Sequence, residues 1–270
     1  MLGKRILAVA VMLAIGIPAI LAGGVYLSSM VALLLGLAAW EYGRMFKLID
    51  LNASQPILVA GVVVLVLARA HAAHLAGSVL SVLVLAAMTW HLILYERGRE
   101  RAGSDFALTI GGLVYLGWIG AYLVELRNLP DGLWWLLISL PITWAADTGA
   151  YFIGQAFGKT PLSPRLSPRK TWEGYWGGVA LGTLAGPGLV LLYRQFGGPD
   201  IPLWQGLVLG LVLSTLPTLG DLGESMFKRE AGIKDSSHIL PGHGGVFDRI
   251  DSWLWAGALG YFLVHWIFPG

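Results

Sequence analysis

An all-α, polytopic membrane bundle is the fold this sequence predicts, and three observations predict it. Only 13% of the 270 residues are charged and 56% are hydrophobic, whereas soluble domains carry about 25% charged residues. The apolar residues gather into about nine stretches near the length that crosses a bilayer as a helix. Lys and Arg are spread unevenly over the connections between those stretches. The absence of cysteine excludes disulfides, thiol chemistry and Cys-ligated zinc or iron–sulfur sites. A net charge of +2 is too small to point to a nucleic-acid partner.

In chain order the expected spans are Ile6–Gly23, Val25–Trp40, Ile57–Arg69, Leu75–Tyr95, Phe106–Leu126, Leu133–Ile153, Tyr175–Leu192, Leu203–Leu219 and Ser252–Phe268. Lys4 and Arg5 ahead of the first could open a signal peptide, with Ala19 and Ala22 as a cleavage pattern. The apolar run continues almost directly into the second segment, so a retained span is expected, joined to its neighbour by a tight turn at Gly23-Gly24. The third span is the weakest, being short and closed by Arg69, His71 and His74. Pro18, Pro141, Pro187 and Pro217 fall inside spans, where neighbouring helices can satisfy the freed carbonyls. There is no internal repeat or separate soluble domain. The chain divides into an N-terminal helical scaffold, 1–130, and a C-terminal catalytic region, 131–270.

With nine spans and a cytoplasmic N-terminus, 15 of the 18 Lys and Arg fall on the inner side; only Arg69, Arg127 and Arg194 fall outside. Basic residues favour the cytoplasmic side, so this asymmetry places the polar residues of the second half in the cytoplasm and Gly270 outside. In the first half, Glu41, Arg44 and Lys47 read as a helix end at the interface, and Glu96 to Arg101 as a solvated turn that can also attract anionic lipid heads.

The second half differs. Asp147 sits in an otherwise apolar span, and an intramembrane carboxylate is a functional-site hypothesis by default; the simpler alternative is a buried Asp bonded to Thr143 or Thr148. The loop Gly158 to Gly174 carries Lys159, Arg165, Arg169 and Lys170 among Ser163, Ser167 and Thr171. These are phosphate-binding residue types, although an ordinary basic inner loop has the same composition. It is not a P-loop, since only three residues separate Gly154 from Gly158 where four are required.

The most polar stretch, Ser225 to Asp251, lies between two apolar segments and holds four Lys or Arg and four acids. Gly242, Gly244 and Gly245 surround His243, allowing close approach of backbone to a ligand. If the eighth helix continues past Gly220, then Asp221, Glu224, Ser225 and Lys228 fall on one face. Asp248 and Asp251 stand near the expected start of the ninth helix. Capping explains Asp251, which precedes Ser252, better than it explains Asp248. Carboxylates from Asp221 and Asp248 could bind Mg²⁺, which takes few protein ligands and completes its shell with water and phosphate. Lys228, Arg229, Lys234 and Arg249 would offset a polyphosphate. Such a mix suits phosphoryl or nucleotidyl transfer, where catalysis is mostly positioning and charge stabilisation.

At these residues the chain resembles the phosphatidate cytidylyltransferase (CDP-diacylglycerol synthase) family. Ser225, Lys228-Arg229, Lys234-Asp235, Ser237, Leu240-Pro241, His243-Gly244-Gly245, Asp248-Arg249 and Asp251 match its signature with their spacings. Asp147, Tyr151 and Gly154, and the run Ser167 to Gly174, are similar to further family segments. The resemblance is specific from about Ile142 to Ser252. One departure is Ser236-Ser237-His238, where many members have an aromatic residue and glycine; these positions read as permissive.

The resemblance implies conversion of CTP and phosphatidate to CDP-diacylglycerol and pyrophosphate by a multi-span bacterial inner-membrane enzyme, often a homodimer. The reaction would depend on Mg²⁺, with K⁺ as a candidate second ion. Asp221 and Asp248 would be metal ligands, and Ser225 and Lys228 would contact substrate phosphates. Asp147, Arg169, Lys170, Lys234, His243, Gly244, Gly245 and Arg249 would complete the substrate site. A CTP-dependent lipid kinase would instead need a base for its alcohol, for which His243 is a candidate. An anionic-solute transporter would suit Asp147, but lacks the inverted repeat such folds carry.

Overall fold

The structure, a computed structural model, describes residues 14–237, 239 and 244–268. It is helical almost throughout. Residues 14–22 are helical, and the chain then breaks at Gly23 and Gly24, both at positive φ. Glycine enters that region without the Cβ penalty, so the expected turn is there, while most of the first expected span lies outside the described residues. The elements that follow are α1 (Gly24–Lys47), α2 (Gln55–His71), α3 (Ala73–Glu96) and α4 (Ala102–Gly112), then a π-helical stretch (Leu113–Ile119) and α5 (Tyr122–Asn128). After these come α6 (Gly132–Phe157), strands β1 (Pro161–Ser163) and β2 (Ser167–Thr171), α7 (Trp172–Arg194), α8 (Leu203–Thr215), α9 (Thr218–Glu230) and α10 (Phe247–Phe262), closed by a second π-helical stretch (Leu263–Ile267).

Among the described residues six helical segments are long and apolar enough to cross a membrane. They are Gly24–Lys47, Ala73–Glu96, Ala102–Asn128, Gly132–Phe157, Trp172–Arg194 and Leu203–Glu230. The nine expected helices are therefore not all spans among the described residues, which leave out most of the first. Gln55–His71 is a shorter apolar helix. The C-terminal α-helix has 16 residues before it passes into the π-helical stretch, and its first turn is polar. The eighth helix does continue past Gly220, but with a break: α8 ends at Thr215 and α9 begins at Thr218. Pro217, between them, has no N–H to offer the preceding turn.

The chain folds into two compact units. The first comprises Met1–Glu125 with Phe227–Ile250. Here the rings of Tyr42 and Phe46 on α1 meet Phe227 at 5.6 and 5.7 Å between centroids, and Tyr42 meets Phe247 at 6.3 Å. Edge-on pairs of this kind contribute about 0.5–1.5 kcal/mol each beyond burial, and they pin both ends of the polar stretch to α1. Elsewhere in the unit Arg69 is not a loop charge. Its guanidinium donates to both carboxylate oxygens of Glu125 at 2.7 and 2.5 Å and lies over the rings of Trp118 and Tyr122. The Arg97–Arg101 turn is likewise structured. Arg99 bridges Asp50 and the fully buried Asp105, which also accepts the Asn52 N–H at 2.7 Å.

The second unit comprises Leu126–Met226 with Asp251–Gly270. Its helices α6, α7 and α8 pack at backbone distance through small residues. A Cβ on Gly178 would lie 2.6 Å from the Ala146 carbonyl oxygen, and one on Gly186 would overlap the Gly206 carbonyl. Small residues allow close helix approach in membranes, where dispersion contacts replace the hydrophobic effect as the cohesive force.

Candidate active site

In the second unit the Gly158–Gly174 segment is not a plain loop. Strands β1 and β2 pair antiparallel, with Pro161 opposite Thr171 and Ser163 opposite Ser167. Glu173 closes the base of this hairpin by accepting the Lys159 and Thr160 N–H groups at 3.1 and 3.2 Å and the Thr160 hydroxyl at 2.9 Å. Thr171 caps α7 by accepting the Gly174 N–H at 3.2 Å, the ordinary role of Thr at that position. The hairpin can lie against α6 only because Gly158 and Gly174 lack side chains. A Cβ on Gly158 would meet Thr171 Oγ1 at 2.7 Å, and one on Gly174 the Ala150 carbonyl at 2.7 Å.

This packing encloses a cavity of about 480 Å³, within the range of small-ligand sites. Asp147, Tyr151, Arg169, Lys170, Tyr175 and Asp221 are among its lining residues. The Lys170 ammonium donates to an Asp221 carboxylate oxygen, and both side chains are about one-third exposed. Asp147 is exposed towards this space rather than folded back on its helix. The hydroxyls of Thr143 and Thr148 donate instead to the carbonyls of Leu140 and Trp144, at 2.8 and 2.7 Å. Asp251, one turn into α10, is 8% exposed. Burial above all, then the charge of Asp221, pushes its carboxyl up to about 7, against the opposing pull of the Ser252 N–H and Lys170. Ser225 is buried on α9.

The first unit holds the other predicted residues. Asp248 is in the first turn of α10. One of its oxygens, Oδ2, accepts the Ser236 N–H at 3.0 Å, the Ser236 hydroxyl at 3.0 Å and the Gly245 N–H at 2.8 Å. The other, Oδ1, accepts the Lys228 ammonium at 2.7 Å, with side-chain exposures of only 12% for Lys228 and 8% for Asp248. Gly244 is at φ +80°, and a Cβ there would lie 2.7 Å from Asp248 Oδ2. Lys234 and Arg249 are exposed. His243 lies outside the described residues.

Two readings of the sequence change here. The helix start belongs to Asp248, with Asp251 a turn further in. Ser236 and Ser237 are not permissive positions, because their hydroxyls hold carboxylates. Ser236 reaches Asp248 and Glu41, and Ser237 reaches Glu41 at 2.5 Å. Glu41, read from sequence as an interfacial helix end, is fully buried.

The donor set fits a hard cation. Carboxylate oxygens and phosphate suit Mg²⁺ or K⁺ over thiophilic metals. Among the described residues no three His, Asp or Glu side chains gather into a cage, so a divalent ion would take few protein ligands and fill its shell with water and phosphate.

A family model described as the cytidylyltransferase family matches residues 3–267. Similar curated proteins include the phosphatidate cytidylyltransferase of Pseudomonas aeruginosa, 39% identical over 265 residues and covering 93% of each chain. That of Synechocystis is 31% identical, covering 98% of this chain and 97% of its own. That of Staphylococcus saprophyticus is 34% identical, covering 93% and 94%.

Proposed function

The chain belongs to the cytidylyltransferase family, and from that premise we infer how its residues carry the reaction. It is an integral membrane nucleotidyltransferase that converts CTP and phosphatidate to CDP-diacylglycerol and pyrophosphate for phospholipid synthesis. A phosphate oxygen of phosphatidate attacks the α-phosphorus of CTP. The new O–P bond forms as the bond to the bridging α–β oxygen breaks, and pyrophosphate leaves with that electron pair. The nucleophile is already anionic at neutral pH, so a strong base is not required. The obstacle is repulsion between two phosphates, and fixed positive charge lowers it.

The observation that carries the assignment of roles is the cavity lined by Arg169, Lys170, Asp147 and Asp221. Arg169 and Lys170 bind phosphate there, Arg through a fork and Lys as a point charge. Ser225 adds a phosphate contact. In the polar stretch Lys228 neutralises phosphate, Gly244 and Gly245 let the backbone approach, and Lys234, His243 and Arg249 add donors. Asp221 in the second unit and Asp248 in the first would each serve as a Mg²⁺ ligand; K⁺ is the candidate second ion. When bound, Mg²⁺ screens the phosphates and stabilises the leaving pyrophosphate. Asp248 would offer the ion a carboxylate already fixed by Lys228 at Oδ1 and by the Ser236 and Gly245 N–H groups at Oδ2. Purified protein given CTP, phosphatidate and Mg²⁺ in detergent should form CDP-lipid and pyrophosphate in equal amounts. Chelation should stop it and added Mg²⁺ restore it. Turnover that persists in excess chelator would remove the metal from this scheme.

The site faces the cytoplasm of a bacterial inner membrane. The support is the clustering of Lys159, Arg165, Arg169 and Lys170 before α7, against Arg194 alone at its far end. The chain has no cysteine, so single cysteines report sidedness directly. In intact spheroplasts Gln195→Cys should react with an impermeant thiol reagent and Arg165→Cys should not; the opposite pattern inverts the topology.

A further inference from the structure

We infer that Glu41 is the positioning residue of the polar stretch: it holds Ser236, Ser237 and the start of α10 so that Asp248 and Lys228 meet in one orientation. This rests on the reading that Asp248 and Lys228 serve cytidylyl transfer. Glu41 belongs to α1, 195 residues before Ser236, and is 0% exposed. An unsatisfied carboxylate at such a position would be costly. Instead each oxygen accepts twice. Oε1 takes the Ser237 hydroxyl at 2.5 Å and the Val246 N–H at 2.9 Å. Oε2 takes the Phe247 N–H at 2.7 Å and shares the single Ser236 hydroxyl proton, at 3.1 Å, with Asp248 Oδ2 at 3.0 Å.

The two N–H groups open α10, where the helix has no acceptors of its own for them. Among the described residues, then, Glu41 meets only neutral donors, and it ties the Ser236 end of the stretch to its Phe247 end. Gly245 lies directly against it. A Cβ there would come within 2.6 Å of both Glu41 oxygens and 2.0 Å of Ser236 Oγ. The path onward to the reaction is short. The Ser236 hydroxyl lies between Glu41 Oε2 and Asp248 Oδ2, at 3.1 and 3.0 Å, while the Ser236 and Gly245 N–H groups fix the same Asp248 oxygen. That oxygen being fixed, Oδ1 is turned to Lys228. Glu41 itself thus acts through its neighbours.

Glu41→Gln keeps the volume but turns an NH₂ group towards two donors. Outer-shell partners of this kind change activity by about 10–100-fold. Glu41→Gln should therefore lower kcat by about that factor, with KM for CTP within about threefold of wild type. Amide exchange should quicken at residues 244–248 and stay unchanged in α2. Glu41→Asp should recover part of the loss. Should Glu41→Gln fail to insert, Ser237→Ala removes one of the four donors and should lower kcat about 3–10-fold with exchange faster at the same residues. Wild-type kcat in Glu41→Gln, or in Ser237→Ala where that variant decides, overturns the proposal, as does a loss matched by faster exchange throughout the protein. Asp248→Asn, measured alongside, separates the two levels. Full activity in that variant defeats the underlying assignment of the site, and the proposal with it. An inactive Asp248→Asn beside a wild-type-like Glu41→Gln defeats the role of Glu41 alone.

Discussion

Asp221→Asn should reduce turnover by at least about 10²–10³-fold, the scale of losing one preorganised electrostatic group, while the protein stays folded and inserted. Asn nearly preserves the volume, so packing on α9 is not the cause. What is lost is a charged carboxylate facing the cavity, the proposed metal ligand, and with it the partner of Lys170. Lys170 then loses its hydrogen-bonded carboxylate and keeps only the more distant Asp147 and Asp251, so the cavity becomes more positive. Binding of anionic CTP should hold or tighten as kcat falls, and steady-state kinetics at matched expression resolve the two. A proportional rise in KM with kcat intact would make Asp221 a binding residue only. Near-normal turnover at saturating Mg²⁺ would remove it from the site.

Lys228→Met should lower turnover about 100-fold. An i, i+4 pair of Lys228 with Glu224 on the same helix face would be worth only about 0.2–0.5 kcal/mol. The structure shows a stronger contact, a mostly buried pair of Lys228 with Asp248. Removing one partner of a buried pair costs about 3–5 kcal/mol. The three donors left on Asp248 Oδ2 should reduce that here to about 1–3 kcal/mol, the cost of an imperfectly satisfied group. A loss of activity in the Met variant is therefore ambiguous by itself, and Lys228→Arg resolves it. A guanidinium can still donate to Asp248 and so should restore thermal stability. Its larger, forked head should not restore turnover if the site needs a compact point charge. An Arg variant that recovers both would make Lys228 structural.

The membrane class was legible because it is a property of composition, which no tertiary contact can reverse. The cavity residues Asp147, Arg169, Lys170 and Asp221 were legible singly, because polar groups in or beside apolar spans stand out. Their common cavity was not, since it depends on a hairpin with strands of three and five residues in a Pro-containing polar loop. Such strands carry too few residues for an alternating pattern to emerge. The start of α10 was misplaced at Ser252 for a similar reason. The helix begins at Phe247 because Glu41 accepts the N–H groups that open it, and a cap supplied from 206 residues away leaves no local trace. Glu41 itself looked like any acid near a helix end. Only its burial and its four donors distinguish it.

The transfer itself is tested most directly by the fate of the CTP phosphates. CTP labelled at the α or at the γ position is incubated with phosphatidate and the purified protein, and lipid and aqueous products are separated. Cytidylyl transfer places the α label in the lipid and the γ label in pyrophosphate, both lost in Asp221→Asn. Label from the γ position in the lipid would mean a kinase reaction and would contradict the account, as would α-labelled lipid formed at the wild-type rate by Asp221→Asn.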